Sequence, residues 1–282
     1  MAAGRLPLPL ALWLGRRLGD VAYAALPRRR RLALVNLGRA YPELPASERR
    51  RLARRAAQHL GMTLLELPRL LTAPIEETLA RIRLDGVEHL HAAMRAHGRA
   101  LVLTAHLGNW EILCAAHRLT DHGLSVVVRP LDAPWLDAVA ARLRRRTGVD
   151  LIDKRGALRP VLEALRRGRM VGILMDQNVA RREGVFVNFF GHPASTSRSI
   201  ALLAVRTGAP IVPIFARRSG GIDHTVVIRP ALPFPASNDP EAAVVELTER
   251  CTVQIEAAIR EAPEQWLWFH DRWKTRPVGE AR

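Results

Sequence analysis

The stretch Ala100-Leu101-Val102-Leu103-Thr104-Ala105-His106-Leu107-Gly108-Asn109-Trp110-Glu111 decides how this chain folds. Its first six residues form an apolar, β-prone run, short enough for a strand buried on both faces. His106 follows directly, Gly108 permits a tight turn, Asn109 can cap the next helix, and Glu111 falls in that helix's first turn. On one continuous helix, residues five apart point about 140° away from each other. A strand-turn-helix bend removes that obstacle and lets the carboxylate reach an imidazole nitrogen. Such a pair makes a general base: the carboxylate fixes the tautomer and stabilises the imidazolium formed when the other nitrogen takes a proton. A capping Glu beside a hydrogen-bonded loop His fits the same spacing, so spacing alone leaves both readings open.

Outward from this stretch, short β-rich runs alternate with helical segments. Residues 125–129, 149–153, 170–176, 211–215 and 225–228 read as further strands, and 109–122, 134–147, 157–168 and 197–207 as helices. A last helix opens at Asn238-Asp239-Pro240-Glu241, an N-cap followed by proline in the first turn. This alternation predicts an α/β protein with a mainly parallel central sheet flanked by helices, its ligands at the carboxyl ends of the strands. Residues 1–75 read as an N-terminal helical, membrane-associating region and 76–282 as the α/β core, the two forming one structural unit. The helix at 46–72 opens at Ser47 and Glu48 and ends near Pro68 or Pro74.

Charge is the unusual bulk property. Lys plus Arg number 43 against 27 Asp plus Glu, a net charge of +16, and Lys154 and Lys274 are the only lysines. Arginine blocks at 28–31, 49–51, 144–146 and 181–182 suit phosphate groups, which guanidinium grips bidentately. An anionic membrane surface or an acidic carrier protein fits them. No helix-turn-helix, zinc-finger or RNA-binding signature accompanies the charge, which argues against nucleic acid.

Cys114 and Cys251 offer neither a disulfide framework nor a CxxC spacing, as in a reducing compartment. The apolar run at 6–15 is interrupted by Arg16, Arg17 and Asp20, which opposes a secretory signal, and is too short for the roughly 20 residues of a membrane span. Leu10, Trp13, Leu14, Leu18, Val21 and Ala22 recur at helical spacing opposite those charges. Two readings fit: a helix lying on a membrane, and a surface helix packed on the domain.

With these residues in view, the chain resembles the bacterial lipid A biosynthesis late acyltransferases and the related mycobacterial phosphatidylinositol mannoside acyltransferases, within the lysophospholipid acyltransferase superfamily. Their signature is a His, four residues, then Asp or Glu. The likeness continues through Arg129-Pro130, Arg146-Thr147-Gly148, Asp176-Gln177, Val-Asn-Phe-Phe-Gly at 187–191, Thr207-Gly208-Ala209-Pro210 and Pro263-Glu264-Gln265-Trp266 to Lys274. It covers nearly the whole chain in the expected order.

The resemblance implies transfer of a fatty acyl chain from a thioester, on acyl carrier protein or coenzyme A, to a hydroxyl of a membrane glycolipid such as a lipid A precursor. The place would be the cytoplasmic face of the bacterial inner membrane, with no metal and no cofactor beyond the donor. His106 would take the hydroxyl proton, and Glu111 would orient His106 as its dyad partner. Backbone N–H groups near Gly108 would stabilise the oxyanion. Arg146 stands where the family carries an active-site arginine, with Arg144 and Arg145 leaving the register open. Arg129 is a second candidate to hold substrate, or a surface arginine. Asp176, with Gln177, either takes part in catalysis or holds the following loop. The stretch 186–196, with Phe190 and Gly191, would be a loop lining an acyl or acceptor pocket, and 263–274 would lie at the membrane interface or pack on the sheet edge. A lysophospholipid or phosphatidylinositol mannoside acceptor, or a non-catalytic basic membrane-binding protein, are the alternatives. A hydrolase would need a nucleophile, yet no Gly-x-Ser-x-Gly elbow occurs and Cys114 lies inside a predicted helix.

Overall fold

The computed structural model describes residues 6–129, 134–277 and 279 of the chain; Pro130, from the Arg129-Pro130 pair, lies outside them. β2 (Ala100–Thr104) is buried along its whole length, as a continuous apolar run demands. It stands in a seven-stranded sheet of order β1 (Ile82–Asp85), β9 (Asp223–Ile228), β8 (Ile211–Gly220), β2, β5 (Met170–Leu174), β3 (Leu124–Val128) and β4 (Asp150–Asp153). From β8 to β4 all neighbours are parallel, while β9 runs antiparallel to β8 and β1 parallel to β9. The protein is an α/β domain with a mainly parallel central sheet flanked by helices.

Alternation along β2 sends its side chains to two cores. Ala100 and Val102 join Leu90 and Met94 of α5 (Val87–His97) and Cys114 and Ala115 of α6 (Leu113–Ala116). Leu101 and Leu103 join a larger cluster on the opposite face, with Val161 and Leu165 of α8 (Leu158–Arg166), Ile200 and Ala204 of α9 (Ser199–Thr207), and Leu247 and Ile255 of α10 (Pro240–Glu261). The Asp239 side chain accepts from Glu241 N–H at 3.0 Å to open α10 where the sequence signals it.

Among the described residues four helices precede the sheet: α1 (Leu8–Ala25), α2 (Pro27–Ala40), α3 (Ala46–Thr72) and the short α4 (Ile75–Leu79). Pro68 lies inside α3, which ends before Pro74. Small residues let α1 and α3 approach until their backbones touch: a Cβ on Gly61 would stand 2.1 Å from the Gly15 carbonyl oxygen, and one on Gly19 2.3 Å from that of Ala57. On its outer side α1 exposes Leu10, Trp13, Leu14, Leu18 and Val21. Among the described residues no helix is long and apolar enough to cross a membrane.

Several local readings change. The segment 109–122 is not one helix but a 3₁₀ turn (Trp110–Ile112), α6, and a second 3₁₀ turn (His117–Leu119). Side chains compete with the helical ladder there: His117 Nδ1 lies 2.8 Å from the Cys114 carbonyl, and the Thr120 hydroxyl donates to that of His117. The expected loop at 186–196 is a hairpin of β6 (Gly184–Phe189) and β7 (His192–Ser197), turned by Phe190 and Gly191 at φ 53° and 77°. A two-residue turn with both φ positive matches strand twist, but Phe in the first position gives no turn signal. The missed α2 begins with four arginines that mask its buried face of Ala33, Asn36, Leu37 and Ala40.

Candidate active site

The register of β2 on β5 builds the centre. Thr104 pairs with Leu174, so the chains leave the sheet side by side and bring His106 against Asp176, each two residues further on. The Asp176 carboxylate is 2 % exposed and accepts three hydrogen bonds: from His106 Nδ1 at 2.8 Å, from the His106 backbone N–H at 3.1 Å, and from Trp266 Nε1 at 2.8 Å. A carboxylate at Nδ1 can only accept, which puts the ring proton there and leaves the Nε2 lone pair free. The His106 side chain retains 21 % exposure, its ring edge-on to Trp110 with centroids 5.1 Å apart. Gln177 places its Nε2 3.5 Å from His106 Nε2.

The carboxylate hydrogen-bonded to His106 is Asp176 and not Glu111. Glu111 receives Arg144 in a bidentate pair, Nε at 3.0 Å and Nη2 at 2.6 Å, and also Trp110 Nε1 at 3.1 Å. Its hydrogen-bond capacity faces α7 (Pro134–Arg146), and its charge reaches His106 only through space. Arg144, not Arg146, is therefore the arginine of the block that meets the motif. Arg146 donates to the carbonyls of Leu70, at 2.8 Å, and Ala73, tying α7 to the end of α3. Arg129 is exposed at the carboxyl end of β3. Phe190 packs edge-on to Tyr41 with Arg260 over its face, and Gly191 forms the exposed hairpin tip; no described hydrogen bond or ring contact joins either to His106. Cys114 is buried among apolar neighbours, which pushes its thiol up.

Asn109 does not cap a helix. It is wholly buried and donates from Nδ2 to Glu66 Oε2 at 2.7 Å. Glu66, on α3, also accepts from Arg218 Nη2 at 2.6 Å and from His224 Nε2 at 3.0 Å. This buried ion cluster under the motif loop has no local sequence signal, because its members come from three distant segments. The loop is fixed from the other side too. Gly108, at φ 60°, brings its Cα so close to β8 that a Cβ would lie 2.1 Å from the Ala216 carbonyl oxygen. Its N–H donates to the Gln265 carbonyl at 3.0 Å, which removes that group as an oxyanion donor.

Trp266, Trp268 and Trp273 are 2 %, 0 % and 3 % exposed, so the segment after α10 packs into the domain rather than into a lipid interface. Asn36 of α2 donates to the carbonyls of Trp268 and His270, both at 2.8 Å. The Asn178 N–H donates to His270 Nε2 at 3.0 Å.

Nearby charges set the protonation of His106. Burial alone would lower the His106 pKa, but the Asp176 carboxylate, with Glu111 behind it, holds it above the ordinary value. Asp176 is destabilised as an anion by burial, yet His106 and its two other donors bring its pKa down to about 2. Burial, reinforced by Arg218, keeps His59 neutral to about pH 3.

Comparison with known proteins shows the family. The model of the family described as bacterial lipid A biosynthesis acyltransferase matches residues 1–275. The chain is 28% identical to a lipid A biosynthesis lauroyltransferase of Escherichia coli (strain K12), over 98% of this chain and 89% of that one. It is 29% identical to a phosphatidylinositol mannoside acyltransferase of Mycobacterium tuberculosis (strain CDC 1551 / Oshkosh), over 67% of this chain and 59% of that one. A solved structure, the 1-acyl-sn-glycerophosphate acyltransferase of Thermotoga maritima, aligns with 92% of this chain and 96% of its own at 14% identity and a TM-score of 0.41. The match runs through β2, His106 and the closing tryptophans alike: the chain belongs to the bacterial lipid A biosynthesis acyltransferases and is an enzyme that transfers acyl groups.

Proposed function

We propose that the enzyme moves a fatty acyl chain from a thioester, carried by acyl carrier protein or coenzyme A, to a hydroxyl of a glycolipid of the lipid A type. The observation that carries this reading is a partly exposed imidazole whose Nδ1 is held by a buried carboxylate, leaving Nε2 for the acceptor hydroxyl. Nε2 takes the proton of the acceptor hydroxyl as its oxygen attacks the thioester carbonyl. The tetrahedral intermediate collapses, the C–S bond breaks, and the imidazolium returns the proton to the departing thiolate. The products are an ester and a free thiol, with no acyl-enzyme between.

In this mechanism Asp176, rather than Glu111, orients the base. The Gln177 carboxamide, beside Nε2, donates to the forming oxyanion. Glu111 and Arg144 fix the entrance between the motif and α7, and Glu111 adds negative potential near the imidazolium. The exposed apolar row of α1 and the arginines of α1 and α2 support peripheral seating of the N-terminal helices on an anionic membrane, at the cytoplasmic face of the inner membrane. Sequence identity with lipid A enzymes over nearly the whole chain favours a lipid A acceptor over a phosphatidylinositol mannoside.

The test is to incubate the protein with acyl carrier protein and coenzyme A thioesters and a total lipid extract, and to identify by mass spectrometry the lipid that gains an acyl group. A glycolipid product is expected; free fatty acid with no lipid product would instead establish a hydrolase. The pH profile gives a second check. The base works when neutral, so kcat/KM rises with pH through a pKa above the ordinary histidine value of about 6.5. Asp176→Asn removes the charge that raises it, and the inflection of its residual activity moves to lower pH.

A further inference from the structure

A groove of about 370 Å³ lies between α1 and α3, lined by neither His106 nor Asp176. Its volume falls within the roughly 300–1,000 Å³ of small-ligand sites. Gly19, Ala57 and Gly61 form its floor, the same small residues that bring the two helices together. Leu18 and Ala22 of α1 and Leu60 and Leu64 of α3 supply hydrocarbon walls.

The two ends differ in chemistry. At one, Arg29 donates to the Phe269 carbonyl at 3.3 Å, and Arg30 lies over the Tyr23 ring at 5.6 Å and donates to the Tyr23 carbonyl. These contacts hold both guanidinium groups at the rim, each with donors to spare. His270, which also lines this end, accepts from the N–H of Asn178, two residues beyond Asp176, so the cationic end is the one beside the base. At the other end the walls run into exposed hydrocarbon: Leu14, Leu18 and Leu64 are 37 %, 46 % and 47 % exposed. An apolar slot open to such a surface and closed by two cations fits an amphiphile with its anionic group toward the catalytic centre.

The geometry points to this groove as the seat of one hydrocarbon chain of the acceptor lipid, an amphiphile whose phosphate lies against Arg29 and Arg30. This rests on the acyltransferase reading above and adds where the acceptor is held. The donor chain fits less well. Its phosphates lie at the far end of a pantetheine arm, remote from the thioester carbonyl at which the acyl chain begins, and it is delivered from solution rather than along the exposed row of α1. A phosphate-bearing lipid brings chain and charge together, from the membrane side.

The direct test titrates the full chain by calorimetry with dodecyl phosphate, below its micelle concentration, and with dodecyl maltoside and inorganic phosphate as controls. Saturable binding of dodecyl phosphate is expected. Ala22→Trp fills the slot and weakens binding about ten-fold or more. The double variant Arg29→Ala, Arg30→Ala weakens dodecyl phosphate by a similar factor, about ten-fold, and dodecyl maltoside far less. Leu64→Glu, on an exposed wall, repeats the loss should Ala22→Trp fail to fold. In steady-state transfer, Ala22→Trp raises KM for the acceptor about ten-fold with KM for the thioester nearly constant. The proposal is overturned by absence of saturable dodecyl phosphate binding, by retention of that binding in folded Ala22→Trp, or by a rise in the thioester KM in place of the acceptor KM. If the unaltered protein transfers no acyl group to any lipid, the enzymatic reading fails while the amphiphile titration still decides the groove.

Discussion

His106→Ala lowers acyl transfer by about 10²–10⁴-fold, the usual contribution of a positioned general base, while the protein remains folded. The fold survives because the ring is partly exposed and its described hydrogen bonds and ring contact are with Asp176, Gln177 and the edge of Trp110. Asp176→Asn preserves shape but removes the acceptor that sets the tautomer, so its loss approaches that of His106→Ala. Glu111→Ala also abolishes most transfer, by another route: it strands the Arg144 guanidinium beside the base, lowering the imidazole pKa and loosening α7. The two carboxylates separate by melting temperature. Loss of Glu111 costs about 1–3 kcal/mol through its unpaired partner, whereas Asp176→Asn keeps its main hydrogen-bonding shape. Purified, folded His106→Ala with near-normal transfer would sink the mechanism.

Glu66→Ala destabilises the protein by about 3–5 kcal/mol, the range for breaking a buried ion pair from one side. Arg218, whose side chain is 6 % exposed, loses its counter-ion; His224 loses its acceptor, and Asn109 is released from under the motif. Urea unfolding measures the loss, and a change within about 0.5 kcal/mol would show the cluster to be energetically idle. Burial alone would raise the Glu66 pKa, but His224 and Arg218 hold it down to about 2. A carboxylate depressed in this way stabilises the fold at any pH above its unfolded value, about 4.3, and the contribution disappears as pH falls toward 2. Acid unfolding of Glu66→Gln therefore shows a shallower pH dependence in that window. Because Asn109 links the cluster to the loop that carries His106, transfer falls with it.

The parts of the fold legible in sequence are those written in contiguous residues. The run 100–105 ended at His106, Gly108 turned the chain, and Asp239-Pro240 opened a helix, because each signal lies within one element. What decided which carboxylate meets His106 was not local. Glu111 and Asp176 both stand at the ends of sheet-proximal elements, and only the adjacency of β2 and β5 in register, Thr104 against Leu174, selects Asp176 as the carboxylate on His106. The arginine was ambiguous for the same reason. Arg144 and Arg146 point about 160° apart on a helix, and the phase of α7 is set by Leu143 turning inward, which the block Arg144-Arg145-Arg146 conceals. Glu66 was invisible beside such a motif, since nothing in a long arginine-rich helix marks one glutamate as buried.

The closing segment carries a consequence for how the enzyme comes into being. Gln265 receives the N–H of Gly108, Trp266 donates to Asp176, and His270 receives the N–H of Asn178. All three are synthesised after α1, α2 and α3, and after both strands that present the base and its partner. A chain still on the ribosome can thus expose its apolar N-terminal helix long before it owns a finished catalytic centre. The contacts that fix His106 and Asp176 are complete only once the closing segment has been made and has docked.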